Sequence, residues 1–344
     1  MNTQIIKSEN GQITKDVLEK AAEILNSGGL VVFPTETVYG LGGDATNSDA
    51  AGRIYAAKGR PSDNPLIIHV SSPEEAESYA VTNEVYYKLA KAFMPGPLTV
   101  ILPKKNTIPL SVTGGLETVA IRCPSHPIAR QLISALGKPI AAPSANLSGK
   151  PSPTCAKHVI DDLSGRVDMI IDGGSCEIGL ESTIVKLDGT KATLLRPGAI
   201  TADALSCVCT EVEIAPSVLE QLKENERPLS PGMKYRHYAP SVPLILIDGE
   251  RDNVINFLIS EQREKKCAIL CYHEELSLLD NKNLIDVGSS NDLETQAQVL
   301  FTALRDADEL RVEVIYAHLP QKSGIGLALY NRMIRAAAHT VIKV

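Results

Sequence analysis

TKDVLEKAAEILNSGGLVVFPTETVYGLGG, residues 14–43, carries the pattern that decides the fold. Val17, Leu18, Ala21, Ile24 and Leu25 recur at helical spacing, so the segment reads as an amphipathic helix over 14–27. Thr14 is placed to cap its start and Gly28-Gly29 its end. Leu30-Val31-Val32-Phe33 then forms a short, wholly apolar run halted by Pro34, the mark of a buried strand. A helix feeding a buried strand is the unit of an α/β fold.

Working outward, a second helix is expected over 48–58, stopped by Gly59 and Pro61. Leu66–Val70, Leu98–Leu102, Val119–Arg122, Pro139–Ala142, Met169–Ile171 and Thr183–Leu187 all read as strands bounded by Pro, Gly or Asn. The first 200 residues therefore predict a many-stranded mixed sheet. Residues 227–247 hold no acidic side chain and four prolines, with SPGMKYRHYAP (230–240) at their centre. That composition marks a domain boundary but is not that of a passive linker, which favours Gly, Ser and Glu. Beyond it, strands at 244–247, 267–271, 284–287 and 312–317 alternate with helices at 251–263, 291–307 and 325–340, predicting a small parallel, Rossmann-like sheet.

The composition excludes several classes. The chain has 344 residues, 44% hydrophobic and 22% charged, which fits a globular protein of two domains. No apolar run approaches the roughly 18 residues of a membrane helix, and the start lacks a signal-peptide pattern, so a cytoplasmic location is expected. Seven cysteines at irregular spacing fit reduced thiols better than a disulfide framework or a zinc site. Residues 1–200 hold 19 basic and 20 acidic side chains and residues 201–344 hold 15 and 21, an unsuitable balance for a protein whose main ligand is nucleic acid.

Neither GxxxxGK[ST] nor a GxGxxG opening a helix occurs, so a phosphate ligand would be held by side-chain cations and scattered amides. Lys58-Gly59-Arg60-Pro61-Ser62-Asp63-Asn64-Pro65 supplies a point charge and a planar fork that the helix end lets converge on one anion. Thr118 and Arg122 lie four apart on one strand face, as Ser144 and Asn146 lie two apart. Ser182 and Arg196 repeat the arrangement, polar groups at the tips of buried strands. Together these fragments point to one site for an anionic ligand. No Ser-His-Asp or Cys-His set stands out; Cys123 beside Pro124 and near His126 has no spacing that requires a reactive thiol.

In order, PTETVYGLG (34–42), KGRPSDNPL (58–66) with its LIIHV strand, PGPLTVIL (95–102), TVAIRCPSHP (118–127), APSANLSG (142–149), GLESTIV (179–185) and LRPGAI (195–200) resemble the YrdC-like family of threonylcarbamoyl-adenylate synthases. SPGMKYRHYAP and the extra α/β unit resemble the family's long, two-domain form. The resemblance implies a twisted mixed α/β sheet with a large concave cavity over 1–205, a linker or lid over 206–242, and a smaller Rossmann-like domain over 243–344. It implies conversion of L-threonine, bicarbonate or CO2, and ATP to threonylcarbamoyl-AMP and pyrophosphate, with Mg2+ accompanying ATP and no metal assigned to protein ligands. A partner transferase would then modify tRNA.

By the same resemblance Thr37, His69, Arg122 and Ser182 hold threonine, with Thr35 close by. Lys58, Arg60, Asn64, Thr118, Ser144, Asn146, Thr154 and Arg196 contact ATP, Lys58 and Arg60 acting catalytically, and Tyr235 and His237 close over the nucleotide. Two alternatives stay open on the residues alone. One is an RNA-binding module using the same cavity without catalysis, which the acidic total and scarcity of interleaved aromatics oppose. The other is a related carbamoyl-phosphate-using transferase, whose zinc-binding segment has no counterpart in this cysteine spacing.

Overall fold

The computed structural model describes residues 2–220, 238–280 and 282–344. It divides into two compact units, one formed by residues 2–148, 152–177 and 181–220 and the other by 149–151, 178–180 and the described residues from 238 onward.

In the first unit the elements run β1 (Gln4–Lys7), α1 (Lys15–Asn26), β2 (Val31–Phe33), β3 (Gly40–Asp44), α2 (Ser48–Lys58), β4 (Ile67–His69), α3 (Glu84–Phe93), β5 (Leu98–Pro103), β6 (Thr118–Arg122), α4 (Pro127–Leu136), β7 (Ile140–Ala142), α5 (Ala156–Leu163), β8 (Met169–Asp172), β9 (Thr183–Asp188), β10 (Lys191–Arg196), α6 (Ala202–Ser206) and β11 (Glu211–Ile214). The strands form one mixed sheet in the order β1-β8-β2-β3-β7-β4-β6-β5-β9-β10-β11. Pairs such as β4/β6 and β5/β9 are parallel, whereas β2/β3, β4/β7 and β5/β6 are antiparallel.

Local chemistry explains the helices nearest the site. Thr14 caps α1 by accepting from the Val17 N–H, and the helix buries Ala21, Ala22 and Leu25. These pack with Leu132 and Leu136 of α4 over Val31, Phe33, Ile140 and Met169, forming a hydrophobic core on one face of the sheet. α2 ends at Gly59, whose φ of 63° is a left-handed value open to glycine at little cost. At Gly42 space is the constraint: a Cβ there would lie 2.8 Å from Ile140 Cγ2 and 2.9 Å from Phe33 Cε1. The glycine-rich stretch after Pro34 thus contains a strand, β3, crossed by the Phe33 ring.

The second unit holds β12 (Leu244–Asp248), α7 (Arg251–Glu264), β13 (Cys267–Cys271), β14 (Leu284–Asp286), α8 (Leu293–Glu309), β15 (Val314–His318), α9 (Gly326–Ala336) and β16 (Val341–Lys343). All its strand pairs are parallel, in the order β14-β13-β15-β12-β16. The predicted Rossmann-like alternation is present, with the last helix ending at Ala336 so that the chain can add β16.

β11 pairs in parallel with β10, so the described residues through 220 stay with the first sheet. This edge strand is mostly exposed, which leaves its sequence without the apolar signal of the inner strands. No helix among the described residues is long and apolar enough to cross a membrane.

Candidate active site

Strand register assembles the first half of the site. His69 on β4 is paired with Arg122 on β6, and Arg122 with Thr99 on β5. Thr99 is paired with Ile184 on β9, which is paired with Arg196 on β10. Side chains at paired positions share a sheet face, so His69, Arg122, Thr99 and Arg196 lie in one row. Ser182 enters it from the residues before β9: its Oγ is 2.7 Å from Thr99 Oγ1, and Arg196 donates from Nη2 to Ser182 Oγ (3.1 Å) and from Nε to the Ser182 carbonyl (3.0 Å). All five are buried.

The segment after β2 meets this row. Thr35 Oγ1 donates to the Val38 carbonyl (2.6 Å), accepts from the Thr37 and Val38 N–H groups, and lies 2.9 Å from Thr37 Oγ1. Arg122 Nη2 donates to Glu36 Oε1 at 2.7 Å and lies 3.5 Å from Thr35 Oγ1. Arg122 Nε, also buried, has no hydrogen-bond partner among the described residues. A buried guanidinium with an unused donor is the feature a ligand carboxylate would complete.

His69 is fully enclosed. Its Nδ1 lies 3.3 Å from the Ile140 carbonyl and its ring meets Phe33 edge-on at 5.9 Å. Burial first, and the Arg122 charge second, push its pKa down to about 3, so the imidazole is neutral at physiological pH. The unfolded chain takes up this proton near pH 6.5 and the folded chain only near 3. Stability is therefore complete above about 6.5 and is lost as pH falls through that window, by up to about 1.4 kcal/mol per pH unit from this residue. Urea unfolding between pH 7 and 4 is expected to show a steeper acid loss for the native protein than for His69→Asn; parallel curves would refute this.

The second half gathers around the end of α2 and the chain beyond β7, where Ser144 bridges Gly40. Because β7 runs antiparallel to β4, with Ile67 opposite Ala142, the chain beyond β7 carries Ser144 toward Pro65, away from His69. Buried Lys58, the last residue of α2, donates from Nζ to the Ser144 and Asn146 carbonyls (2.5 Å each), with Asn146 Oδ1 at 3.4 Å. Ser144 Oγ donates to Asn146 Oδ1 at 2.6 Å. Arg60 Nη2 reaches the carbonyls of Pro65 (3.2 Å) and Asn64 (3.5 Å). Asn64 is buried, and its Oδ1 has no hydrogen-bond partner among the described residues. Thr118 opens β6 on the face of Arg122, about 13 Å from it at ~3.3 Å per residue.

The residues singled out in the sequence thus fall into two groups linked by the segment between β2 and β3, whose Thr35 and Glu36 reach Arg122 while Gly40 bridges Ser144. Arg196 joins the Ser182 group, while Lys58, Arg60, Asn64, Ser144 and Asn146 form the other. Thr154 is buried in the turn before α5, its N–H 3.4 Å from His158 Nδ1, next to Pro153, whose carbonyl accepts from Tyr39. Tyr235 and His237 lie outside the described residues.

Glu36 and Thr99 were not singled out by the sequence. One acid between two threonines and one hydroxyl inside an apolar strand carry no signal until register and contact place them on Arg122 and Ser182.

Two family models match: Telomere recombination, covering the Sua5, YciO and YrdC proteins, over residues 23–198, and the threonylcarbamoyl-AMP synthase C-terminal domain over 200–338. The chain is 46% identical over 330 residues to the threonylcarbamoyl-AMP synthase of Pyrococcus abyssi, covering 94% of this chain and 95% of that one. It is 45% identical to that of Bacillus subtilis, covering 95% and 94%. The crystal structure of P. abyssi Sua5 complexed with L-threonine superposes with a TM-score of 0.90 at 43% identity, covering both chains in full. The chain accordingly belongs to the threonylcarbamoyl-AMP synthase family of nucleotidyltransferase-type enzymes, in the form that carries both domains.

Proposed function

We propose that this chain joins L-threonine, CO2 or bicarbonate, and ATP to give threonylcarbamoyl-AMP and pyrophosphate. The observation that carries the reading is a pair of neighbouring polar sets, one around Arg122 and Ser182 and one around Lys58 and Ser144, linked by the 35–40 segment, an arrangement that suits an amino acid beside a nucleotide. The unused Nε of Arg122 and unpartnered Oδ1 of Asn64 support a ligand in each set.

In this reading the threonine carboxylate is taken by Arg122, its polar groups by Thr35, Thr37, neutral His69 and Ser182. The amine adds to CO2 with loss of a proton, and a carbamate oxygen attacks the α-phosphorus in line as pyrophosphate leaves. Such a step needs alignment and charge neutralisation more than a covalent nucleophile. Lys58 and Arg60 supply fixed positive charge near the phosphates. Ser144, Asn146, Asn64, Thr118 and Thr154 complete the nucleotide contacts, and Arg196, held on Ser182, reaches the nucleotide from the threonine side.

Mg2+ enters with the phosphates of ATP. No group of three or more His, Cys, Asp or Glu side chains among the described residues is placed to hold a metal, and no step here is routed through one. All seven cysteines are free thiols, which suits the reducing cytoplasm, where ATP and tRNA occur together. A partner transferase would pass the threonylcarbamoyl group to an adenosine of tRNA.

Pyrophosphate release from ATP is the test. It is expected to require both threonine and bicarbonate; release undiminished when either is omitted would overturn the reading.

A further inference from the structure

We infer that Glu36 is a positioning residue, the clamp that fixes the Arg122 guanidinium in the orientation that receives the substrate carboxylate. The inference rests on the proposed role of Arg122 and assigns a role to a residue with no place in the reaction as described above. Glu36 is 3% exposed, and each of its carboxylate oxygens has one partner. Oε1 accepts a hydrogen bond from Arg122 Nη2 at 2.7 Å, and Oε2 accepts from the Ser125 N–H at 3.2 Å, one residue before the cap of α4. The carboxylate thus ties the arginine to a backbone amide at the entrance to a ten-residue helix, where the helix dipole favours negative charge.

Packing alone would not hold this arrangement. The far side of Glu36 borders a cavity of about 610 Å3, also lined by Ser125, His126, Gln131, Gly173 and Glu177. With the Glu36 carboxylate removed, nothing fills that space, and the guanidinium is drawn toward the cavity and the acidic Glu177. The clamp does not consume the arginine either. A guanidinium has five N–H donors; Glu36 and Thr35 both engage Nη2, and Nε keeps no hydrogen-bond partner among the described residues. Glu36 and a ligand carboxylate can therefore bind Arg122 together, one setting the plane of the fork and the other using its remaining donors.

The KM values for threonine and ATP in pyrophosphate release, with melting curves, should be measured for Glu36→Ala, Glu36→Asp and Arg122→Ala. Glu36→Ala is expected to raise the threonine KM at least tenfold with the ATP KM within about twofold. Glu36→Asp keeps the charge but shortens the reach by one methylene, and is expected to raise the threonine KM at least threefold. Mere neutralisation of Arg122 would leave the Asp variant unchanged, and mere structural support would lower the melting temperature and the active fraction without separating the two KM values. Either result overturns the clamp. Should Glu36→Ala fail to fold, the Asp variant decides alone by the same criterion. A threonine KM unaffected by Arg122→Ala would instead refute the role of Arg122, whereas a large Arg122 effect beside unaffected Glu36 variants would refute the clamp only.

Discussion

Arg122→Ala is expected to raise the threonine KM by roughly a hundredfold or more while the ATP KM stays within about threefold. Arg122 is buried, paired with Glu36, and keeps an unused Nε in the row with His69, Thr99 and Ser182. Truncating one partner of a buried, hydrogen-bonded charge pair costs about 2–5 kcal/mol, and each 1.4 kcal/mol is tenfold in affinity. The nucleotide set at the far end of β4 does not touch Arg122, which is why the two constants should separate. Arg122→Lys is expected to rescue only partly, since an ammonium keeps the charge but loses the planar fork. Because Glu36 would be left buried without its partner, the alanine variant should also be destabilised, by about 3–5 kcal/mol. Steady-state kinetics on the folded fraction checks the claim; equal losses for both substrates would show that Arg122 supports the whole cavity and no single ligand.

Lys58→Ala should be more damaging to turnover than to threonine binding, with kcat/KM for ATP falling about a thousandfold. The ammonium joins the end of α2 to the carbonyls of Ser144 and Asn146, so its loss removes a fixed positive charge and loosens the segment that presents Ser144 and Asn146. A preorganised charge or donor aimed at developing charge is worth about 10²–10³ in rate, and disorder of its neighbours adds to that. The buried Asn146 carbonyl loses a charged donor, at a stability cost of about 1–3 kcal/mol, and the partly buried Ser144 carbonyl loses the same donor at a smaller cost. Lys58→Met keeps most of the stem volume and separates charge from packing: it should recover stability over alanine but not rate. A loss in kcat/KM under tenfold in a folded Lys58→Met protein would contradict the assignment.

Much of this architecture was legible before any coordinates. Leu30–Phe33, Leu98–Leu102 and Val119–Arg122 are buried on both faces, and such strands write themselves as continuous apolar runs. β3 is not legible because Gly40, Gly42 and Gly43 carry no apolar side-chain pattern, and Gly42 is small so that Phe33 and Ile140 can meet over it. β11 was hidden because it is a mostly exposed edge strand. Lys58 and Arg60 were visible as cations at a helix end, and Arg122, Ser144, Ser182 and Arg196 as polar residues flanking apolar strands. Their division into two sets was not, because it depends on which strands are antiparallel. Arg196 shows the point: strand-tip position gives its chemistry, but only the β9/β10 register sets it against Ser182. Glu36 and Thr99 became visible only through contact.

The central claim, that the two linked polar sets join an amino acid to a nucleotide, is tested most directly by supplying 13C-labelled bicarbonate with threonine and ATP and following the label by NMR and mass spectrometry. The label is expected in a single adenylate, on a carbon bonded to the threonine nitrogen and, through oxygen, to the AMP phosphorus. An adenylate of threonine without the labelled carbon, or labelled carbamate that never joins AMP, would contradict it.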